Sequence, residues 1–409
     1  MSPANGQSRI ADFNQAMVLA AIRATDEGVS RVELAESTGL SAQTISNVVR
    51  RLINDGWAQE SGRVIHGPGK PRTKLQLVPD RCIAVGIHVD FSAVELVLIN
   101  LHGEVLTQRR NPFGENWASV DVQVAEVQQH ISEMLEETGF GMDKLLGVGI
   151  ASSGYINTET GVMYHPYIWD DGYAIVEPLK DALNCPVYLV RDMVAATVAE
   201  RWVGIGRTDS HFMTVYVGAG LGAGFVSDHH VVVGHRGNAG DFTHLEVPHT
   251  QEETCPKCGA NNCLYINLEP PALKRLFASE GAELPELEGI PPYAEAEVLL
   301  AQITDASNDS EAVKRVREHL SKLIGDCVGK IVGLLDQDKV VVSGPLWEHV
   351  RKDYGEGVAE QVRSRAEGVV GAPVEVVPTE LGPGIAPLGA ACVVLDAGLM
   401  PRCTFTAKR

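Results

Sequence analysis

Between Val29 and Asn54 the chain carries so many start and stop signals that two helices joined by a sharp turn are the arrangement that satisfies them. Ser30 with Glu33 three residues on is a capping box, and Val29 with Leu34 forms the hydrophobic staple that sets the entry angle. Gly39 interrupts the helix so begun and Ser41 caps another. The apolar positions Ile45, Val48, Val49, Leu52 and Ile53 then keep the helical period to about Asn54. Ahead of this pair Ile10, Phe13, Met17, Ala20 and Ala21 recur at helical spacing and predict an amphipathic helix over roughly residues 9–26. A short helix, a glycine-containing turn and a longer helix make a helix-turn-helix.

Burying that apolar stripe leaves Gln43, Thr44, Asn47, Arg50 and Arg51 on the open face of the last helix. Glutamine and asparagine match the donor–acceptor edge of adenine, and arginine matches guanine or a phosphate. From Trp57 to Leu77 the pattern reads as two strands around a tip broken by Gly67, Pro68, Gly69 and Pro71, with Lys70, Arg72 and Lys74 nearby. A basic hairpin beside such a helix is a wing, suited to backbone or minor-groove contact. Gln43, Thr44, Asn47, Arg50, Arg51, Lys70 and Arg72 are therefore the candidate DNA-binding residues.

The net charge of −19 is the obvious objection, and its distribution answers it. Residues 1–80 hold nine basic and eight acidic side chains, and from Ser41 to Val78 six basic residues stand against two acidic ones. The acidic remainder repels phosphate, so any DNA contact is confined to the head. The stretch Met1–Arg9 is polar, and no apolar run approaches the roughly 20 residues that span a bilayer. A cytoplasmic protein is expected. Eight mostly scattered cysteines argue against a disulfide framework, but Cys255, Cys258 and Cys263 crowd into nine residues, the first sign of a metal site.

After Asp80 the pattern changes. RCIAVGIHVDFSAVELVLINLHGEVL reads as two or three strands in hairpin succession, a helix follows at about 119–138, then the strands LLGVGIASSG and PVYLVRD and a helix from Met193. FMTVYVGAGLGAGFVSD opens a second set, continued by helices around 311–335, the strand KVVVSG and a last helix near Ala386. Two successive strand-then-helix sets predict two α/β lobes with a cleft between them. The glycines at 218, 220, 222 and 224 precede a strand where a dinucleotide fingerprint requires a helix, so a tight hairpin is the better reading.

From about 81 to 398 the chain resembles the ROK family (repressors, open reading frames and kinases), through GNAGDFTHLEV at 237–247, CPKCGANNC at 255–263 and VRDMVAATVAE at 190–200. With the head it is similar to the family's repressor branch. The resemblance implies an α/β fold, in which a winged helix-turn-helix (1–80) precedes a two-lobed actin-like ATPase body of the sugar-kinase and ribonuclease H type. The lobes would be 81–195, joined by a final helix at about 386–398, and 196–385. It also implies a histidine plus three-cysteine zinc site. His244, Cys255, Cys258 and Cys263 match that set, which suits tetrahedral, structural Zn²⁺. Here Pro256 and Lys257 separate the first two cysteines where the family usually has one residue, leaving Cys255 or His249 as the remaining ligand.

The family's kinases handle phosphate with an Asp-x-Gly-Gly-Thr hairpin. This chain has His88-Val89-Asp90-Phe91-Ser92 instead, which predicts the loss of kinase activity. The resemblance places Gly154, Arg191, Asp192, Asp241 and His244 at the sugar site. Asp241 stands where the family has glutamate, Thr243 where it has glycine, Arg191 where it has asparagine, and Tyr265 where it has glutamate. Asp192 matches the kinases' catalytic base, and its alternative role is N-cap of the helix from Met193. An extra arginine and a lost acid predict a phosphorylated or acidic sugar, held bidentately by Arg191. The expected protein is a regulator, a repressor of carbohydrate genes, acting as a homodimer or tetramer on an inverted repeat of double-stranded DNA. A residual sugar kinase and a sensor of a transport-system protein are the alternatives.

Overall fold

The head begins with helix α1 (Pro3–Arg23). It starts earlier than its apolar period predicts, and it stops at Arg23 because the Thr25 hydroxyl takes the Ile22 carbonyl. The structure, a computed structural model, describes residues 3–399 apart from 26, 65–71, 91–92, 113–118, 166–168, 219, 291, 305–309 and 346–353. Helix α2 (Arg31–Thr38) has the complete capping box: Ser30 N donates to Glu33 Oε2 at 2.8 Å, and Glu33 N donates to Ser30 Oγ at 3.4 Å. Gly39 turns the chain with φ 69°, and Ser41 Oγ accepts from Thr44 N at 3.2 Å to start α3 (Ala42–Asn54). Ile45, Val48, Val49 and Leu52 are buried, and Ile53 is half-buried.

Strands β2 (Ala58–Val64) and β3 (Arg72–Leu77) form the expected antiparallel pair. A further strand, β1 (Val29–Ser30), pairs with the other edge of β3. Two residues are too few to print a period-2 pattern, so the staple residue Val29 gave no sign of also being a strand. The wing tip, including Lys70, lies outside the described residues.

The body repeats one topology. Its first sheet contains β4 (Ile83–Val89), β5 (Ala93–Asn100), β6 (Val105–Pro112), β7 (Leu145–Ser152) and β11 (Val187–Arg191), in the order β6-β5-β4-β7-β11. The first three strands run as an antiparallel meander, while β7 and β11 lie parallel to β4. Helices α4 (Val120–Thr138) and α5 (Val176–Leu183) cover one face. A small antiparallel sheet of β8 (Tyr155–Asn157), β9 (Val162–His165) and β10 (Trp169–Tyr173) had no counterpart in the sequence reading. The second sheet has the same order, β14-β13-β12-β15-β16. Its strands are β12 (Phe212–Val217), β13 (Leu221–Ser227), β14 (His230–Val231), β15 (Lys339–Ser343) and β16 (Glu375–Pro378). The glycine run makes the β12–β13 hairpin, with Gly218 N donating to the Gly220 carbonyl at 2.9 Å.

Helix α6 (Asp192–Trp202) lies between the sheets. Next in the chain come α7 (Leu264–Leu268), α8 (Pro270–Glu280), α9 (Pro292–Thr304), α10 (Glu311–Leu335), α11 (Tyr354–Val370) and α12 (Ile385–Leu399). Despite its place at the end of the chain, α12 packs on the first sheet. A Cβ at Gly149 of β7 would collide with the Ala390 carbonyl, and one at Gly389 with the Ala195 carbonyl of α6, so glycine at both positions brings backbone against backbone. Head residues Leu34, Ile45 and Leu52 share one apolar cluster with Val198 and Trp202 of α6 and Ala391 and Val394 of α12. No helix among the described residues is long and apolar enough to cross a membrane.

Candidate functional sites

On α3 the residues left outside the apolar stripe face solvent as the period requires. Gln43, Asn47 and Arg50 are exposed, and Thr44 is half-buried beside the Ser41 cap. Gln43 Nε2 donates to Asn47 Oδ1 at 3.3 Å, so these two amides are already aligned on one face. Arg51 is half-buried, lying nearer the head's core than its neighbour Arg50. Arg72 is exposed at the start of β3. The wing's Lys74 is paired with Glu27 at 3.3 Å, which spends its charge within the head.

The first candidate ligand residues lie at the carboxyl ends of the parallel strands, where open α/β sheets place their ligands. Arg191, the last residue of β11, is in register with Ser152, the last residue of β7. Gly154 follows, its N–H donating to Ser152 Oγ at 3.3 Å. Asp192 opens α6 but is not its N-cap. The cap position falls on Arg191, which makes no side-chain cap bond, while Asp192 Oδ1 accepts from the adjacent Met193 N at 2.8 Å. Burial raises the Asp192 carboxyl above its usual range, against the pull of Arg191 and His88 and the Met193 N–H, with Asp90 adding repulsion.

The other candidate ligand residues belong to the segment after β14. Asn238 pairs with Ile156 in both directions, accepting from its N–H at 3.0 Å and donating to its carbonyl at 2.7 Å. This sets Gly237 and Asn238 against Ile156 and Thr158, just past Gly154 and Tyr155. Asp241 Oδ1 accepts from Thr243 Oγ1 at 2.6 Å and from Thr243 N at 3.3 Å, so the threonine standing where the family has glycine orients the shortened carboxylate.

Two buried groups stand out here. Arg191 is 8% exposed, its guanidinium 5.9 Å from the Tyr155 ring centroid, and neither Nε nor Nη1 has a hydrogen-bond partner among the described residues. His88 is 4% exposed and faces Glu95, Nδ1 to Oε2 3.7 Å. Burial works against its charge, but Glu95, Asp90 and Asp192 together raise its pKa. Asp90 N donates to the Ala93 carbonyl at 3.1 Å, while Phe91 and Ser92 lie outside the described residues. Tyr155 and Asn238 were missed from sequence. Their only signal was adjacency to Gly154 and to the GNAGD stretch.

Beside the cleft, residues 243–247 run antiparallel to 262–265. Leu264 N donates to the Leu245 carbonyl at 2.9 Å, Tyr265 N to the Thr243 carbonyl at 2.6 Å, and Val247 N to the Asn262 carbonyl at 2.7 Å. That pairing sets His244 next to Cys263. A tight turn returns the chain from Cys255, with Gly259 N donating to the Cys255 carbonyl at 2.9 Å and Gly259 at φ 75°. The ligand atoms of His244, Cys255, Cys258 and Cys263 lie within 4.8 Å of one another. Cys255 Sγ is 3.7 Å from His244 Nδ1, close to the roughly 3.5 Å edge of a tetrahedron with Zn–S and Zn–N bonds of about 2.3 and 2.0 Å.

The donor chemistry agrees with a metal site. Burial disfavours the Cys255 thiolate, yet the Cys258 and Lys257 N–H groups and the neighbouring thiols hold it below its usual range. Burial pushes Cys263 up to about 11. A metal ion at the centre would remove both protons. His249 is elsewhere, its ring 5.2 Å from that of His319 in an edge-to-face contact. The cluster therefore contains Cys255. Tyr265 lies against it, 5.4 Å from the His244 ring, with Lys257 Nζ 5.1 Å from its own ring.

Comparison with known proteins gives two family models along the chain, one described as ROK family over residues 84–397 and one as MarR family over residues 12–63. The xylose repressor of Bacillus subtilis is 22% identical, the match covering 95% of this chain and 97% of the relative. Among solved structures, a ROK family transcriptional regulator described as a homolog of the E. coli MLC protein matches with a TM-score of 0.76 at 21% identity, covering 96% of this chain and 97% of that one. A ROK hexokinase from Thermus thermophilus matches with a TM-score of 0.61 at 20% identity, over 76% of this chain and 97% of the hexokinase. The regulator's match takes in head and body alike.

Proposed function

The chain belongs to the ROK family, and we propose that within it this protein is a DNA-binding transcription regulator, a repressor of carbohydrate genes released by a small ligand in the cleft. The observation that carries the reading is the Ser41-capped α3, with Gln43, Asn47 and Arg50 exposed together beside a winged sheet. The residues proposed to meet DNA are Gln43, Thr44, Asn47, Arg50, Arg51, Lys70 and Arg72, with the half-buried Arg51 contributing least. The proposed division keeps 1–80 as the head, 81–195 with the final helix as one lobe and 196–385 as the other. A homodimer or tetramer on an inverted repeat fits a single recognition helix per chain.

Enzymatic turnover is the second reading, because Asp192 stands in the cleft where a base for a sugar hydroxyl would be. Against it, a buried imidazole fills the position at which the kinases' hairpin meets phosphate. A coupled ADP assay with glucose, xylose and N-acetylglucosamine is expected to give no sugar-dependent ADP formation. Turnover near the 1–100 s⁻¹ of ordinary kinases would restore the enzymatic reading.

For the ligand we propose a sugar derivative bearing a carboxylate or phosphate, held by Gly154, Arg191, Asp192, Asp241 and His244. Arg191 supports this reading, since a buried guanidinium whose Nε and Nη1 have no acceptor among the described residues carries a cost that an oxyanion would offset through paired, charge-assisted bonds. In calorimetric titration, at least one of glucuronate, glucose 6-phosphate and N-acetylglucosamine 6-phosphate is expected to bind tighter than its neutral counterpart by about tenfold or more. Arg191→Gln should remove that preference. Binding by neutral sugars alone would refute the anionic ligand and leave the DNA-binding reading standing.

The metal is proposed to be a structural Zn²⁺ held by His244, Cys255, Cys258 and Cys263. It would close the 243–247 and 255–265 segments into one unit beside the cleft.

A further inference from the structure

Helix α6 touches every part of the molecule that regulation would have to connect. Its first residue, Asp192, follows Arg191 in the cleft, and its last, Trp202, lies against the head. Between them the helix is almost entirely buried and held by both lobes. On the first-lobe side, its Ala195 carbonyl meets Gly389 of α12, and Arg201 forms an ion pair with Asp396 of the same helix. On the second-lobe side, the Thr197 hydroxyl bonds the Thr214 hydroxyl of β12, and Thr379, just past β16, donates to Glu200. A change in lobe closure therefore cannot leave α6 where it was.

At the far end the helix meets α1. Arg23, the last residue of α1, donates from Nη1 to the Trp202 carbonyl at 2.6 Å, and its guanidinium lies 4.2 Å from the centroid of the Trp202 ring. Trp202 is 1% exposed. Burial and the neighbouring Arg201 push Arg23 down to about 10. It stays cationic at neutral pH, and the indole face is the partner that offsets part of that cost. Beside this contact a cavity of about 550 Å³ separates head from body, lined by Ile22, Gln76, His102 and Arg207 among others. The Arg23–Trp202 contact thus joins the apolar cluster that links head and body to the open space beside it.

We propose that Arg23 and Trp202 are the coupling residues of this protein: α6 carries the state of the cleft to α1, and the Arg23–Trp202 stack sets the angle of the DNA-reading head. Neither residue belongs to the ligand set or the recognition face, so both are positioning residues. Further links between head and body, the shared apolar cluster and Arg81, which caps the end of α3 through the Asp55 carbonyl at 3.0 Å and stacks on Trp57, remain as tethers in any variant. The proposal rests on the reading of the protein as a ligand-controlled DNA binder.

The test uses the full chain, a duplex enriched from a random pool, and the panel of glucose, xylose, N-acetylglucosamine, glucuronate and the 6-phosphates of glucose and N-acetylglucosamine. In the native protein, one panel member should weaken DNA binding at least tenfold. In Arg23→Met that factor should fall below about threefold, while ligand-free DNA affinity and calorimetric sugar affinity stay within threefold of native. Arg23→Lys, which keeps the cation, should recover part of the response, and the thermal midpoints of both variants report folding. A full response in Arg23→Met overturns the proposal. So does a native protein that binds DNA but answers to no panel member, because it has no coupling for α6 to carry. A native protein that enriches no duplex would instead strike the DNA-binding reading itself.

Discussion

Replacing Cys263 by serine is expected to empty the metal site and to destabilise the second lobe by on the order of 4 kcal/mol, a part of the roughly 10–16 kcal/mol that structural zinc supplies in small domains. Cys263 is fully buried, its Sγ inside the four-ligand cluster and its carbonyl accepting from Asn267 Nδ2 at 2.9 Å at the start of α7. A serine oxygen is a poor substitute for thiolate toward zinc and would sit in a site shaped for sulfur. Elemental mass spectrometry should find about one equivalent of zinc in the native protein and far less in Cys263→Ser, with a matching fall in the urea midpoint. Two controls sharpen the result. His249→Ala, whose ring pairs with His319, and Cys185→Ser, a free cysteine on the first lobe, should both keep their zinc. Native protein purified without metal, or full zinc in Cys263→Ser, would refute the assignment.

The second large effect belongs to the recognition helix. Asn47→Ala and Arg50→Ala are each expected to weaken specific DNA binding by about 1–3 kcal/mol, roughly tenfold to a hundredfold, and to relax sequence preference at their own positions. Both side chains are exposed, so the thermal midpoint and zinc content should not move. Gln43 and Asn47 share a hydrogen bond, and their double variant should therefore lose less than the sum of the singles. Arg72→Ala, at the foot of the wing, should weaken all duplexes about equally and lessen the salt dependence, as loss of a phosphate contact does. Competition anisotropy against mismatched duplexes separates these outcomes.

How much of this was legible follows from how local each signal is. The capping box at Ser30, the second cap at Ser41 and the stripe from Ile45 to Leu52 are written within a few residues, and α2 and α3 formed as read. The glycine run resolved into a hairpin for the same reason. What sequence left open depended on partners far away in the chain. No spacing rule contains the pairing of 243–247 with 262–265 that sets His244 beside Cys263, nor the placing of Cys255 in their cluster while His249 packs on His319. Asp192 was matched to a ligand-facing base, with a helix cap as its alternative role. The helix instead begins one residue earlier than a cap requires, because β11 runs directly into α6. Arg51 was grouped with Arg50 on the open face, but adjacent helical residues lie about 100° apart, and Arg51 falls toward the core. The position of α12 on the first sheet could be matched to the family, but the close backbone approaches at Gly149 and Gly389 became visible only in three dimensions.

DNA reading by the head and zinc binding beside the cleft are both proposals, and the first is the one on which the rest depends. Its most direct measurement is selection from a pool of random duplexes by the intact protein, followed by sequencing of what is retained. The account predicts enrichment of an inverted repeat whose half-sites are centred about one helical turn, or a whole multiple of it, apart. The enrichment should disappear with Asn47→Ala and Arg50→Ala combined. A retained pool no different in sequence from the starting one, or the same repeat enriched by that double variant, would contradict it.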